Sequence, residues 1–115
     1  FSNKDNGRAL KAIEQALKFL PKKDAEFTSS AYGIRASIYL ALEDTVKALD
    51  DISKAINIYP KLSAVYERRA DIYFEQQKYD LADADYQQLI NLDPSNSIGY
   101  MGIGRNRKQQ KRWLE

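Results

Sequence analysis

The chain of 115 residues contains an internal repeat of 34 residues, and this repeat limits its fold more than any other feature. When residues 29–62 are aligned with residues 63–96, 11 positions are identical, where about two would match by chance. The identical pairs are Ser29/Ser63, Tyr32/Tyr66, Arg35/Arg69, Ala36/Ala70, Ile38/Ile72, Tyr39/Tyr73, Ala48/Ala82, Asp51/Asp85, Ile56/Ile90, Asn57/Asn91 and Pro60/Pro94. Such self-similarity predicts one supersecondary unit that is repeated and stacked.

Each unit carries two amphipathic helix patterns. In the unit of residues 63–96, Tyr66, Ala70 and Tyr73 fall at i, i+4 and i+7, on one face of a helix. A second stripe follows a short polar turn and consists of Ala82, Tyr86, Leu89 and Ile90. A proline then ends the second helix, because it lacks an amide hydrogen and crowds the preceding turn. The unit is therefore predicted to be a hairpin of two antiparallel helices.

The pattern extends beyond the two full units in both directions. Residues 9–17 repeat the second-helix pattern before Pro21, and Tyr100 opens a further first helix. Helices are predicted near 6–20, 29–42, 45–58, 63–76, 79–92 and 97–112. The predicted organisation is a second helix with a longer linker (1–28), two repeats (29–62 and 63–96) and the first helix of a truncated repeat (97–115). The linker, residues 22–28, holds five extra residues, because Ala9 and Ala48 are 39 rather than 34 residues apart.

This alternation of large and small residues resembles the tetratricopeptide repeat family. The matching positions are Tyr32, Ala36, Tyr39, Ala48, Ile52, Ala55 and Pro60, and then Tyr66, Ala70, Tyr73, Ala82, Tyr86, Leu89 and Pro94. The resemblance implies an all-α fold of antiparallel helix hairpins stacked as a right-handed superhelix, whose concave groove is lined by the first helices. Arg35 and Arg69 stand where leucine is commonest in the family, which predicts looser packing at these two places.

The predicted groove carries the candidate site. The candidate partner-binding residues are Ser37, Glu67, Arg68, Asp71, Phe74, Met101, Arg105 and Lys108. Their character changes along the groove from small and neutral, through acidic with one aromatic, to basic. This sequence of charges suits an extended peptide with separated charges and an apolar anchor near Phe74 and Met101.

Some family members bind the carboxyl terminus of heat-shock chaperones through lysines and asparagines of successive first helices. The matching positions here hold Gly33, Ser37, Arg68, Ile98 and Gly102, of which only Arg68 fits. The resemblance therefore does not predict a chaperone-tail receptor of that type.

Composition narrows the chemistry further. The chain has neither histidine nor cysteine, which excludes imidazole and thiolate catalysis and zinc sites built on these ligands. Its net charge of +2 is too small to indicate a polyanionic partner. No apolar run is long enough to span a membrane, and no cofactor motif is present. We predict that the chain is not an enzyme, binds no cofactor and does not insert into membranes.

Two acidic clusters invite a catalytic or metal-binding interpretation. Asp80, Asp83 and Asp85 lack the glycine turn and distal glutamate of a calcium loop, and they lie near the start of a helix, where carboxylates favour the positive end of the dipole. Asp50 and Asp51, with the acidic turn before them, lack a phosphate loop or a nucleophile. We interpret the first cluster as structural and the second as solvated helix surface.

The leading functional hypothesis is a non-catalytic protein–protein interaction module that binds a peptide or a partner protein in its groove. One alternative is a structural segment of a larger enzyme or of a secretion-type complex. Another is nucleic-acid contact through the basic last helix, which is disfavoured because the basic residues of 105–112 are spread around the helix without stacking aromatics. Trp113 and Leu114 are predicted to pack on a following helix, or to support a homo-oligomer through exposed terminal helices.

Overall fold

The computed structural model describes residues 3–19 and 24–114, and side chains for residues 4–19 and 24–111. All regular secondary structure in these residues is helical. The helices are α1 (Asn3–Phe19), α2 (Ala25–Ala41), α3 (Thr45–Ile58), α4 (Ser63–Glu75), α5 (Tyr79–Leu92) and α6 (Ser97–Leu114). The predicted all-α fold of helix hairpins is confirmed. Two compact units divide the chain: residues 1–62 with α1–α3, and residues 63–115 with α4–α6.

Side-chain bonds show that each hairpin is antiparallel. In the first unit the Ser29 hydroxyl of α2 donates to the Ala55 carbonyl of α3 at 2.8 Å. Arg35, further along α2, meets Asp51, which lies earlier in α3. In the second unit Arg69 of α4 meets Asp85 of α5 in the same register, because both pairs are separated by 16 residues.

The two hairpin turns have the same backbone conformation at one residue each. Glu43 and Gln77 both have a φ of 61°, in the left-handed region that most residues avoid. After α2, the Glu43 amide donates to the Leu40 carbonyl at 3.0 Å and the Asp44 amide donates to the Tyr39 carbonyl at 2.8 Å. This pair of bonds is a Schellman motif, which satisfies carbonyls at the helix end. The Asp44 carboxylate then caps α3 by accepting from the Lys47 amide at 3.1 Å.

The second helical segment starts earlier than the sequence predicts. α2 begins at Ala25, so residues 25–28 of the predicted longer linker are helical. Asp24 caps this extra turn, because its carboxylate accepts from the Phe27 amide at 3.1 Å. The expected end of α1 at Pro21 lies outside the described residues.

Both hairpins bury alanines on each of their two helices. Ala36 and Ala48 in the first unit, and Ala70 and Ala82 in the second, are completely buried. An alanine at such a crossing lets two helix backbones approach, and a longer side chain would push them apart.

Replacing Ala70 by leucine therefore adds three carbon atoms to a site with no free surface. We expect the Ala70→Leu variant to lose about 1–3 kcal/mol of unfolding free energy through overpacking. Urea denaturation followed by circular dichroism measures this loss. An unchanged denaturation midpoint would contradict the close-packed crossing.

Buried ion pairs join the two helices of each hairpin. The Arg35 guanidinium donates to both carboxylate oxygens of Asp51 at 2.7 Å. Arg69 makes the same bidentate contact with Asp85, at 2.8 and 2.7 Å. The two aspartates are almost fully buried, with side chains 2% and 4% exposed. These hydrogen bonds raise the pKa of Arg35 and Arg69 above the usual range.

Two predictions are wrong at these positions. The arginines do not loosen the packing, since each guanidinium holds a buried carboxylate and also lies beside a tyrosine ring, Tyr32 or Tyr73. Asp51 is not solvated surface, because it faces the first helix of its hairpin. Asp85, which the sequence analysis interprets as structural, is buried and held by Arg69.

Candidate partner-binding site

The candidate site lies in the second unit, where α6 packs closely on α5. The Tyr86 side chain of α5 is 1% exposed and lies against Gly102 of α6. A Cβ atom at Gly102 would lie 2.4–2.5 Å from three atoms of the Tyr86 ring, so glycine is needed for this approach. Gly99, one turn earlier, leaves similar room for Ile90. The close contact of α6 with α5 therefore depends on glycine at these two positions of α6.

A polar network joins α4, α5 and α6 at the same level. The Tyr86 hydroxyl donates to Asp71 Oδ1 at 2.6 Å. Arg105 Nη2 donates to the Tyr86 oxygen at 2.6 Å and to Asp71 Oδ1 at 3.1 Å. Burial, followed by the hydrogen bond to Asp71, raises the pKa of Tyr86 well above its usual value, so the phenol stays protonated. Asp71 and Arg105 are exposed to solvent, and they also connect the three helices through these hydrogen bonds.

The guanidinium of Arg105 also covers an aromatic ring. Its central carbon lies 3.8 Å from the centroid of Phe74. Tyr79 approaches Phe74 edge-on, with centroids 5.7 Å apart. Phe74 is therefore half-buried and lies under Arg105, and its role as an apolar anchor for a partner stays a prediction.

A cavity of about 340 Å³ opens beside this network. Its lining residues are Glu67, Asp71, Tyr86, Ile98, Met101, Gly102 and Arg105. Ile98 and Met101 are exposed apolar side chains, and Met101 is 71% accessible. A smaller hollow of about 140 Å³ adjoins on α4 and is lined by Ala64, Glu67, Arg68 and Asp71. The larger cavity combines an apolar wall on α6 with carboxylates on α4.

The structure brings five of the eight predicted site residues to these two hollows: Glu67, Arg68, Asp71, Met101 and Arg105. Lys108 is exposed on α6 and lines neither hollow. Ser37 belongs to the first unit, where its hydroxyl donates to the Gly33 carbonyl at 3.1 Å. A groove through both units stays a prediction.

The acidic residues of α5 have separate partners. Asp83 Oδ1 accepts from the Asn106 amide at 2.6 Å, and Asp80 is 3.5 Å from the Gln110 amide nitrogen. Asp85 is held by Arg69. No group of three or more acidic side chains in the described part of the chain is placed to hold a metal ion.

α6 lies where the sequence predicts a further first helix, and part of its surface is open. Tyr100 is 55% exposed, whereas its equivalent Tyr66 is buried. A Cβ atom at Gly104 would meet nothing within 4 Å, whereas its equivalent Ala70 is completely buried. The predicted packing of Trp113 and Leu114 falls on side chains outside the described set.

Comparison with known proteins establishes the family. A family model described as "Tetratricopeptide repeat" matches residues 29–62, and a second one described as "TPR repeat" matches residues 70–105. These two matches span more than half of the chain, which belongs to the tetratricopeptide repeat family. The family consists of interaction modules that are generally not enzymes, and this chain is a protein–protein interaction module of that class.

Curated relatives are longer than this chain. Mitochondrial import receptor subunit TOM34 of Rattus norvegicus is 32% identical over 108 residues, covering 91% of this chain and 35% of the relative. DnaJ homolog subfamily C member 7 homolog of Dictyostelium discoideum is 31% identical over 111 residues, covering 96% and 20%. The chain thus spans about a third or less of the length of these relatives.

Solved structures share the fold. The TPR domain of Arabidopsis OM64 superposes with a TM-score of 0.78 at 26% identity, covering 92% of this chain and 84% of that one. The first TPR of Spaghetti (RPAP3), solved with the HSP90 peptide SRMEEVD, gives a TM-score of 0.79 at 20% identity, covering 93% of this chain and 81% of that one.

The helices described here are not long and apolar enough to cross a membrane.

Proposed function

We propose that this chain binds a peptide segment of a partner protein, and that the cavity between α4 and α6 holds the central part of that segment. The observation that carries the proposal is an exposed apolar wall, Ile98 and Met101, facing a carboxylate, Glu67, that has no partner among the described residues. Apolar surface beside unpaired charge is typical of binding sites rather than of inert helix surface.

The known structures support a peptide as the type of ligand. The related fold of Spaghetti (RPAP3) was solved with a peptide bound. The proposal does not extend to the chaperone carboxyl terminus, because only Arg68 matches the corresponding family positions in this sequence.

Affinity capture from source-cell extract tests this function. We expect a partner retained by the native chain to be lost when the apolar wall is removed in an Ile98→Ser/Met101→Ser variant, because the partner's apolar contact disappears. Both side chains are exposed, so the denaturation midpoint should stay unchanged.

Val46→Ser is the matched control, since Val46 is 80% exposed on α3 of the first unit and is as accessible as Met101. This variant should retain the partner. Equal retention by all three proteins, or loss with Val46→Ser alone, would place the binding surface elsewhere.

A further inference from the structure

We infer that the cavity between α4 and α6 selects a partner segment with a lysine or arginine next to an apolar residue: the cation meets Glu67 and Asp71, and the apolar side chain packs on Ile98 and Met101. This inference rests on the proposed function, because it names the chemistry of the ligand for the same site.

The first support is the unsatisfied acceptors on α4. Glu67 is half-buried in the wall of both hollows, and no described residue makes a hydrogen bond or an ion pair with its carboxylate. Asp71 lies one turn later and uses Oδ1 for both of its described bonds, to Tyr86 and Arg105. Its Oδ2 has no donor among the described residues. Two carboxylates thus present free oxygens to the same space.

The second support is that Arg105, the one cation in the cavity wall, already has partners. Arg105 already donates to Asp71 and Tyr86, and the face of its guanidinium lies on the ring of Phe74. Two carboxylates and one guanidinium leave the lining with one net negative charge, since Tyr86 is protonated. The other nearby cation, Arg68, lines only the smaller hollow.

The third support is the placement of apolar surface. Ile98 and Met101 form the α6 wall of the same cavity, opposite the carboxylates of α4. A lysine or arginine can lay its aliphatic stem along such a wall while its charged end reaches an acceptor. A charge-assisted hydrogen bond supplies more binding energy than a neutral one.

Peptide binding by fluorescence anisotropy tests the inference. The probes are labelled short peptide pools with a central Leu-Lys, Leu-Gln or Leu-Glu pair and otherwise identical randomised positions. We expect the Leu-Lys pool to bind about 10-fold more tightly than the Leu-Glu pool, and its affinity to fall as salt rises. In Glu67→Gln, which keeps the shape of the side chain, the difference should shrink to about 3-fold or less.

The outcomes separate this inference from the proposed function. Tighter binding of the Leu-Glu pool, equal binding of all pools, or no binding of the Leu-Lys pool would overturn the preference for a basic ligand. The proposed function would still stand in these cases if Ile98→Ser/Met101→Ser abolished partner capture. A Leu-Lys preference that is undiminished in Glu67→Gln would overturn the assignment to this cavity.

Discussion

Replacing Asp85 by alanine is expected to lower the free energy of unfolding by about 3–5 kcal/mol, because it leaves the Arg69 guanidinium without its carboxylate between two packed helices. This is a large share of the total stability of a small domain, about 5–15 kcal/mol. Urea denaturation of the wild type and the variant measures it. Asp51→Ala should behave in the same way, since its bond to Arg35 has the same bidentate geometry.

An exposed pair supplies the control. Asp50 lies 3.1 Å from Lys54 on the surface of α3, so Asp50→Ala should cost at most about 1 kcal/mol. Replacing both Arg69 and Asp85 by leucine should recover much of the loss, because no buried charge is then left unpaired. A loss at Asp85 no greater than the loss at Asp50 would show that the buried pair is not formed.

A methyl group at Gly102 is expected to destabilise the second unit, although alanine is the better helix former. The added carbon would overlap the ring of Tyr86, which is 1% exposed and held by Asp71 and Arg105. We expect Gly102→Ala to cost about 1–3 kcal/mol of unfolding free energy. The same denaturation experiment measures this effect.

Gly104, on the same helix, is the matched control. A methyl group there would meet no atom within 4 Å. Gly104→Ala should therefore raise the unfolding free energy by about 0.5–1 kcal/mol through helix propensity alone. Opposite signs for the two variants support the contact of α6 with α5, whereas stabilisation in both would contradict it.

Much of the fold could be predicted from the 34-residue repeat. The period predicts six helices, and the paired alanines predict the tight crossings, because both depend on local side-chain size and spacing. The start of α2 could not be predicted in the same way. It depends on a single cap at Asp24 that the second repeat does not share.

The buried ion pairs could have been predicted from the sequence. Arg35 and Arg69 recur at the repeat period, and so do Asp51 and Asp85, each 16 residues further on. Two charges of opposite sign that recur together at a fixed separation indicate the same contact within each unit rather than solvated surface. When each residue is considered alone, an arginine at a leucine position predicts looser packing, and an aspartate in a helix predicts a solvated surface position.

The site was only partly visible in the sequence. Spacing places Glu67, Asp71, Met101 and Arg105 on the faces of first helices. Spacing does not reveal that Tyr86 reaches Asp71 from the second helix, or that Arg105 covers Phe74, because both contacts join different helices. The signal that the sequence does offer is the presence of three glycines in α6, Gly99, Gly102 and Gly104, of which Gly102 makes room for the Tyr86 ring.

The network of Asp71, Tyr86 and Arg105 limits which substitutions can test the site. Charge reversal at both Glu67 and Asp71 would disturb the bonds of Asp71 to Tyr86 and Arg105, so a loss of binding could reflect a loss of structure. Glu67 has no such bonds among the described residues, and Glu67→Gln is therefore the cleaner substitution. A right-handed superhelix with one groove through both units remains a prediction of the family resemblance.

The most direct test of the binding site uses Met101, which is the only methionine in the chain and lines the cavity between α4 and α6. Labelling its methyl group with carbon-13 gives a single nuclear magnetic resonance signal from the cavity. Titration with the partner retained in affinity capture should shift or broaden that signal in proportion to the fraction bound. If the partner binds, as measured by slower diffusion of the complex, and the methyl signal stays unchanged, the partner lies on another surface and the proposed site is wrong.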